Sequence, residues 1–81
     1  MKILTFAWVR VQTGEPEFEI TPEAATVGAL LDELMATRPG WDVLAARKDQ
    51  IRFAVDQVFV EADASIDSAQ EVAFFPPVTG G

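Results

Sequence analysis

The alternation of apolar and polar positions divides the chain into a few elements. Lys2 to Val11 reads as a strand whose two alternating sets are both largely apolar, Ile3, Thr5, Ala7 and Val9 on one side and Leu4, Phe6 and Trp8 on the other. Such a strand belongs in the middle of a sheet. Thr13-Gly14-Glu15-Pro16 carries turn residues, and Glu17-Phe18-Glu19-Ile20 then alternates as a half-exposed strand does. Residues 2–21 are therefore expected to form a hairpin. Thr26 is a good helix N-cap, because its hydroxyl can accept from an unpaired first-turn amide. Behind it, Val27, Leu30, Leu31, Leu34 and Met35 have the spacing of one buried helical stripe, with Asp32 and Glu33 on the other side. Pro39-Gly40 stops this helix. Trp41 to Lys48 predicts a second, short helix with Trp41, Leu44 and Ala45 facing inward.

Ile51–Val55 and Val58–Val60 are strand-like runs around Asp56-Gln57, a hairpin whose turn lacks the favoured Gly. Ala62 to Gln70 is polar and irregular, with Ile66 as its anchor, and Glu71–Phe75 is a last strand stopped by Pro76-Pro77. The order is ββ, α, (α), ββ, β. It predicts an α+β chain of the β-grasp, ubiquitin-like class: a mixed sheet of about five strands with the first and last strands central, and one main helix plus a short second helix on one face. Residues 1–75 form the domain and 76–81 a tail.

Composition narrows the chemistry. Eighty-one residues hold one modest core. Six Lys/Arg against thirteen Asp/Glu give a net charge of −7, which repels phosphate backbones and anionic lipid. The expected partners are proteins with basic patches, not nucleic acid and not membrane. There is neither Cys nor His, which removes thiol and imidazole catalysis and Cys/His metal sites. No metal or cofactor is expected on this chain. The apolar stretch Leu4 to Val9 is too short for a membrane span, so the expected location is the cytoplasm.

The strongest local feature is Pro76-Pro77-Val78-Thr79-Gly80-Gly81, since no side chain from Val72 onward is charged. Glycines lack Cβ, so a Gly-Gly end fits a narrow channel, and Pro76-Pro77 stiffens its base. Six residues at about 3.3 Å each carry the terminal carboxylate roughly 20 Å from the domain. A carboxylate resists nucleophiles until it is joined to AMP from ATP. The chain has no G-x-x-x-x-G-K-[ST] or G-x-G-x-x-G loop, so another enzyme must perform that step. Phe74 and Phe75 point to opposite faces of their strand. Phe75, nearer the tail, is the expected docking residue, although packing of both rings under cover remains open. Glu15, Glu17 and Glu19, Asp32 and Glu33, and Asp63 and Asp67 read as solvated faces. Trp8 and Trp41 read as packing residues.

The ending Glu71-Val72-Ala73-Phe74-Phe75-Pro76-Pro77-Val78-Thr79-Gly80-Gly81 resembles that of the small subunits of molybdopterin synthase. Phe6-Ala7-Trp8-Val9-Arg10 is similar to that family's F-A-x-x-R strand, Thr26-Val27-Gly28-Ala29-Leu30 to its T-V-x-x-L helix start, and Ala54-Val55-Asp56-Gln57 to its A-V-N-Q hairpin. The resemblance implies a sulfur carrier of molybdenum cofactor synthesis, a non-catalytic subunit. In that family an E1-like enzyme uses ATP to adenylate the terminal glycine, and a sulfur donor converts it to a thiocarboxylate. The tail then enters the large synthase subunit, which moves the sulfur to cyclic pyranopterin monophosphate in a heterotetramer. Mapped here, the reactive residue is Gly81, and Gly80 and Thr79 thread the channel. Phe75, Pro76, Pro77 and Val78 contact the partner together with Arg10, the arginine of the first strand. Asp56 stands where Asn is usual and Asp67-Ser68-Ala69-Gln70 replaces a D-G-D turn, both away from the tail. Val11-Gln12 replaces a frequent acidic residue after Arg10. Two rivals use the same Gly-Gly chemistry, a carrier for thiamine thiazole and a ubiquitin-like tag joined to lysines through Gly81. A third is an interaction module whose ending has no role.

Overall fold

Residues 1–77 are described by a computed structural model. Its elements are β1 (Lys2–Thr5), α1 (Ala7–Thr13), β2 (Glu17–Glu19), α2 (Val27–Thr37), a 3₁₀ segment (Asp42–Gln50), β3 (Arg52–Val55), β4 (Val58–Val60) and β5 (Glu71–Phe75). The sheet order is β2-β1-β5-β3-β4. β1 and β5 run parallel, and the other three pairings are antiparallel. This is the β-grasp, with the last strand at the centre and the first beside it.

α2 starts where its cap residue indicates, Thr26 Oγ1 accepting from the Ala29 amide at 3.2 Å. Two further first-turn amides, of Val27 and Gly28, donate to the carbonyls of Ala64 and Ala62 at 3.0 and 2.8 Å. The helix ends at Thr37 because Arg38 precedes a proline, which forces it into an extended conformation (φ −99°, ψ 125°). Val27, Leu30, Leu31 and Leu34 are buried against Ile3, Val72 and Phe74, and Ile66 anchors the loop before β5. An edge-to-face series of rings, Phe18–Trp41–Phe74–Phe53, crosses the core at 5.6, 5.7 and 5.9 Å.

The β3–β4 turn has positive φ at Asp56 (49°) and Gln57 (69°), as a two-residue turn with right-handed strand twist requires. The absent glycine is offset by Asp56 itself, whose Oδ1 accepts from the Gln70 and Glu71 amides at 2.9 and 3.0 Å. That ties the hairpin to the start of β5.

Two expectations need correction. The first strand stops at Thr5, and residues 7–13 form α1. β1 pairs with β5 as far as Thr5 and Phe74; two residues beyond Phe74 the chain of β5 reaches Pro76-Pro77, which have no amide to donate. With its ladder ended, the chain turns at Ala7 (φ 52°) and enters a helix that buries Val9 and Thr13 on one side. β1 and β2 do pair antiparallel, Ile3 opposite Phe18, but a helix joins them, and Gly14 (φ 73°) closes it. Arg10 therefore lies on α1, not on a strand. The second correction concerns Ala45, which is exposed. Three residues per turn in the 3₁₀ segment put Trp41 and Leu44 on one inner line and leave Ala45 off it.

Candidate functional site

β5 feeds the tail. Because neighbours alternate across a strand, Val72 and Phe74 enter the core, Phe74 with no exposed surface, while Ala73 and Phe75 face the side that no helix covers. Leu4 on β1, Ala54 on β3 and Phe59 on β4 share that open face with them. Phe59 is 74% exposed and Phe6 42%. Phe75 is half-buried, its ring 5.4 Å from that of Phe59 and tilted 40°. β3 lies between them in the sheet, and its Ala54, directly opposite Phe59, is small enough for the two rings to meet above it.

Phe6 continues this surface. Its amide donates to the Phe74 carbonyl at 3.2 Å, level with the end of β5. Arg10 reaches back from α1, with Nε donating to the Thr5 carbonyl at 3.0 Å and the guanidinium 5.3 Å from the Phe6 ring centre. On the other flank Arg52 sits directly opposite Phe75. The structure thus brings Arg10, Phe75 and Pro76 to one end of the sheet, with Pro76 half-buried and Pro77 exposed. Val78, Thr79, Gly80 and Gly81 lie outside the described residues. Phe59, Phe6 and Arg52 belong to the same surface and were not singled out from the sequence. The alternation of Val58-Phe59-Val60 held the signal for Phe59, since it must face the side opposite to Val60, which packs against the core.

Glu15 is not the solvated carboxylate its surroundings in sequence imply. Arg38 Nε and Nη2 grip it in a fork at 2.7 and 2.6 Å, and Trp41 Nε1 donates to it at 3.0 Å. The Arg38 hydrogen bonds hold its carboxyl below the usual range, against the opposing effect of desolvation; the Trp41 bond and the Arg38 charge act in the same direction as the fork. Arg38 is raised in return, first by the same hydrogen bond, and its guanidinium lies 3.5 Å from the Phe18 ring centre. This cluster fixes Trp41, which packs on Phe74, the residue beside Phe75. Among the described residues no group of three or more Asp or Glu is placed to hold a metal ion, and no helix is long and apolar enough to cross a membrane. Among the described residues the site is an exposed apolar face along β5 and its neighbours, with arginines beside it.

Comparison with known proteins agrees with this geometry. The model of the ThiS family matches residues 3–81. The molybdopterin synthase sulfur carrier subunit of Escherichia coli (strain K12) is 40% identical over 81 residues, covering 100% of this chain and 99% of its own. The subunit of the same name from Haemophilus influenzae (strain ATCC 51907 / DSM 11121 / KW20 / Rd) is 31% identical with the same coverage. Among solved structures, SAMP1 from Haloferax volcanii superposes with a TM-score of 0.72 at 26% identity, covering 99% of this chain and 97% of that one.

Proposed function

The chain belongs to the ThiS family, and from that premise we propose that it carries sulfur for molybdopterin synthase as a thiocarboxylate on Gly81. The observation that carries the reading is Phe75: a ring on the uncovered face of the central strand, two residues before an uncharged Pro-Val-Thr-Gly-Gly end. A rigid strand and an apolar anchor set the position and direction from which a partner receives the tail.

The chemistry is supplied from outside. An E1-like enzyme joins a Gly81 carboxylate oxygen to the α-phosphorus of ATP and releases pyrophosphate. Hydrosulfide supplied by a donor protein then attacks the acyl carbon. The new C–S bond forms as the C–O bond to AMP breaks, leaving the thiocarboxylate. In the large subunit that sulfur passes to cyclic pyranopterin monophosphate, and water attacks the acyl carbon as its C–S bond breaks, restoring the carboxylate. Gly80 and Thr79 occupy the channel on the way, and Phe75, Pro76, Pro77, Val78 and Arg10 hold the domain at its mouth. This chain binds no cofactor in that cycle, and it works in the cytoplasm beside its partners.

The test is a reconstitution with activating enzyme, ATP, sulfur donor and large subunit. Deleting Gly81 is expected to abolish sulfur transfer while leaving the thermal midpoint nearly unchanged, because a glycine has no side chain to pack. Retained transfer by the truncated chain would overturn the reading. Lysine conjugates that retain the tail would support the protein-tag alternative instead.

A further inference from the structure

The cations of this acidic chain are not treated alike. Lys2, Arg38 and Lys48 each pair with a carboxylate, of Glu17, Glu15 and Asp32 respectively. Arg10, Arg47 and Arg52 have no carboxylate within ion-pair distance among the described residues, although the chain has thirteen Asp/Glu. Neutral groups hold them instead. Arg10 is fixed by the Thr5 carbonyl and faces Phe6. Arg47 lies 3.8 Å above the Trp8 ring. Arg52 Nη1 donates to the main-chain carbonyls of Asp49 and Ile51 at 2.9 and 3.3 Å.

Arg10 and Arg52 lie at the end of the sheet where β5 finishes. Arg52 is the cross-strand neighbour of Phe75, and directly opposed residues of an antiparallel pair share a face. Arg10 is anchored at Thr5, which is level with Phe74 on the opposite neighbour of β5. Phe75 is thus flanked on both sides by guanidinium groups oriented by neutral partners, with no carboxylate paired to them among the described residues. An oriented guanidinium is a geometric match for a carboxylate, and binding costs it little further ordering.

Resting on the carrier reading above, we infer that Arg10 and Arg52 form a clamp for acidic side chains on the protein that receives Phe75. The partner's seat is an apolar hollow with carboxylates at its margin, even though the carrier as a whole is acidic. A basic surface elsewhere on the partner meets the carrier's net charge; at the tail root the polarity reverses. That reversal sets the rotation of the domain over the channel, because a carrier docked the wrong way round brings like charges together.

Binding to the large subunit of molybdopterin synthase from the same source, measured by calorimetry at several salt concentrations, tests this. Arg10→Gln and Arg52→Gln should each weaken binding about tenfold and flatten its salt dependence. Lys2→Gln, the same loss of charge on the sheet's far end, should stay within about twofold of the wild type. The double variant Arg10→Glu/Arg52→Glu should fail to bind while its thermal unfolding remains cooperative. Wild-type affinity in both single variants, or equal weakening in all three, would overturn the clamp while leaving the carrier reading intact. Displacement of the partner by pyrophosphate, and not by chloride of equal ionic strength, would assign the arginines to a phosphate and overturn the carboxylate assignment. A wild-type chain that does not bind the large subunit at all would overturn the carrier reading, and the clamp with it.

Discussion

Phe59 and Phe75 stand 5.4 Å apart across a strand to which neither belongs, joined over the small side chain of Ala54. The pair turns the centre of the open sheet face into one apolar ridge that ends where the tail begins. Its counterpart below is Phe74, sealed between Trp41 and Phe53. Two consecutive phenylalanines therefore divide the work of the last strand, one holding the fold and the other facing outward.

That division predicts opposite responses to the same substitution. Phe74→Ala should cost about 3–5 kcal/mol in denaturant unfolding, as large aromatic truncations in cores do. Phe75→Ala should cost less, about 1–2 kcal/mol, since its ring lies on the open face of the sheet and is only partly buried, yet weaken docking to the large subunit far more than it weakens folding. The reverse ranking would mean that Phe75 is a core residue.

Glu15 gives a pH signature. Its folded-state carboxyl lies below the usual range, so the stability it contributes is complete above its unfolded value, near 4.3. That stability is lost as pH falls through the folded value. Glu15→Gln should lower stability by about 2 kcal/mol at neutral pH. It should also flatten the fall in thermal midpoint below about pH 4. A variant that follows the wild-type curve throughout acid unfolding would contradict the role given to this fork.

Gly28 is required for space, not for backbone freedom. A Cβ there would lie 2.9 Å from both the Cβ and the carbonyl oxygen of Ala62, the same carbonyl that accepts the Gly28 amide. Gly28→Ala should destabilise by about 1–3 kcal/mol. Adding Ala62→Gly should recover only part of the loss, because the carbonyl stays in place.

Ser68 holds a left-handed conformation, φ 66°, in the turn before β5, where a residue with Cβ is strained. Ser68→Gly should raise stability by about 0.5–1 kcal/mol in equilibrium unfolding, without changing sulfur transfer. Lower stability would place an unseen contact at the serine side chain.

Much of this architecture was legible in local pattern. The Val27–Met35 stripe and the Thr26 cap set α2 correctly, and the runs expected at 51–55, 58–60 and 71–75 are strands, β3 starting one residue later at Arg52. The residues after Thr5 were not legible, since Phe6 to Val11 carry the side chains of a strand and become a helix only because β5 ends at two prolines. That constraint lies some seventy positions away in the chain. The Glu15–Arg38–Trp41 cluster was hidden for the same reason: two connections far apart in the chain supply it, one between α1 and β2 and one after α2, and neither marks its residues as partners. At the tail, Phe75 was readable from its place in the strand. Phe59 and Arg52 needed the order of the sheet.

The most direct measurement of the central claim is the intact mass of the purified chain after incubation with its activating enzyme, ATP and a sulfur donor. A carrier gains one sulfur in exchange for one oxygen, and fragmentation locates the change at Gly81. An unchanged C-terminus, under conditions in which the Escherichia coli sulfur carrier subunit treated with its own activating enzyme is converted, would contradict the account.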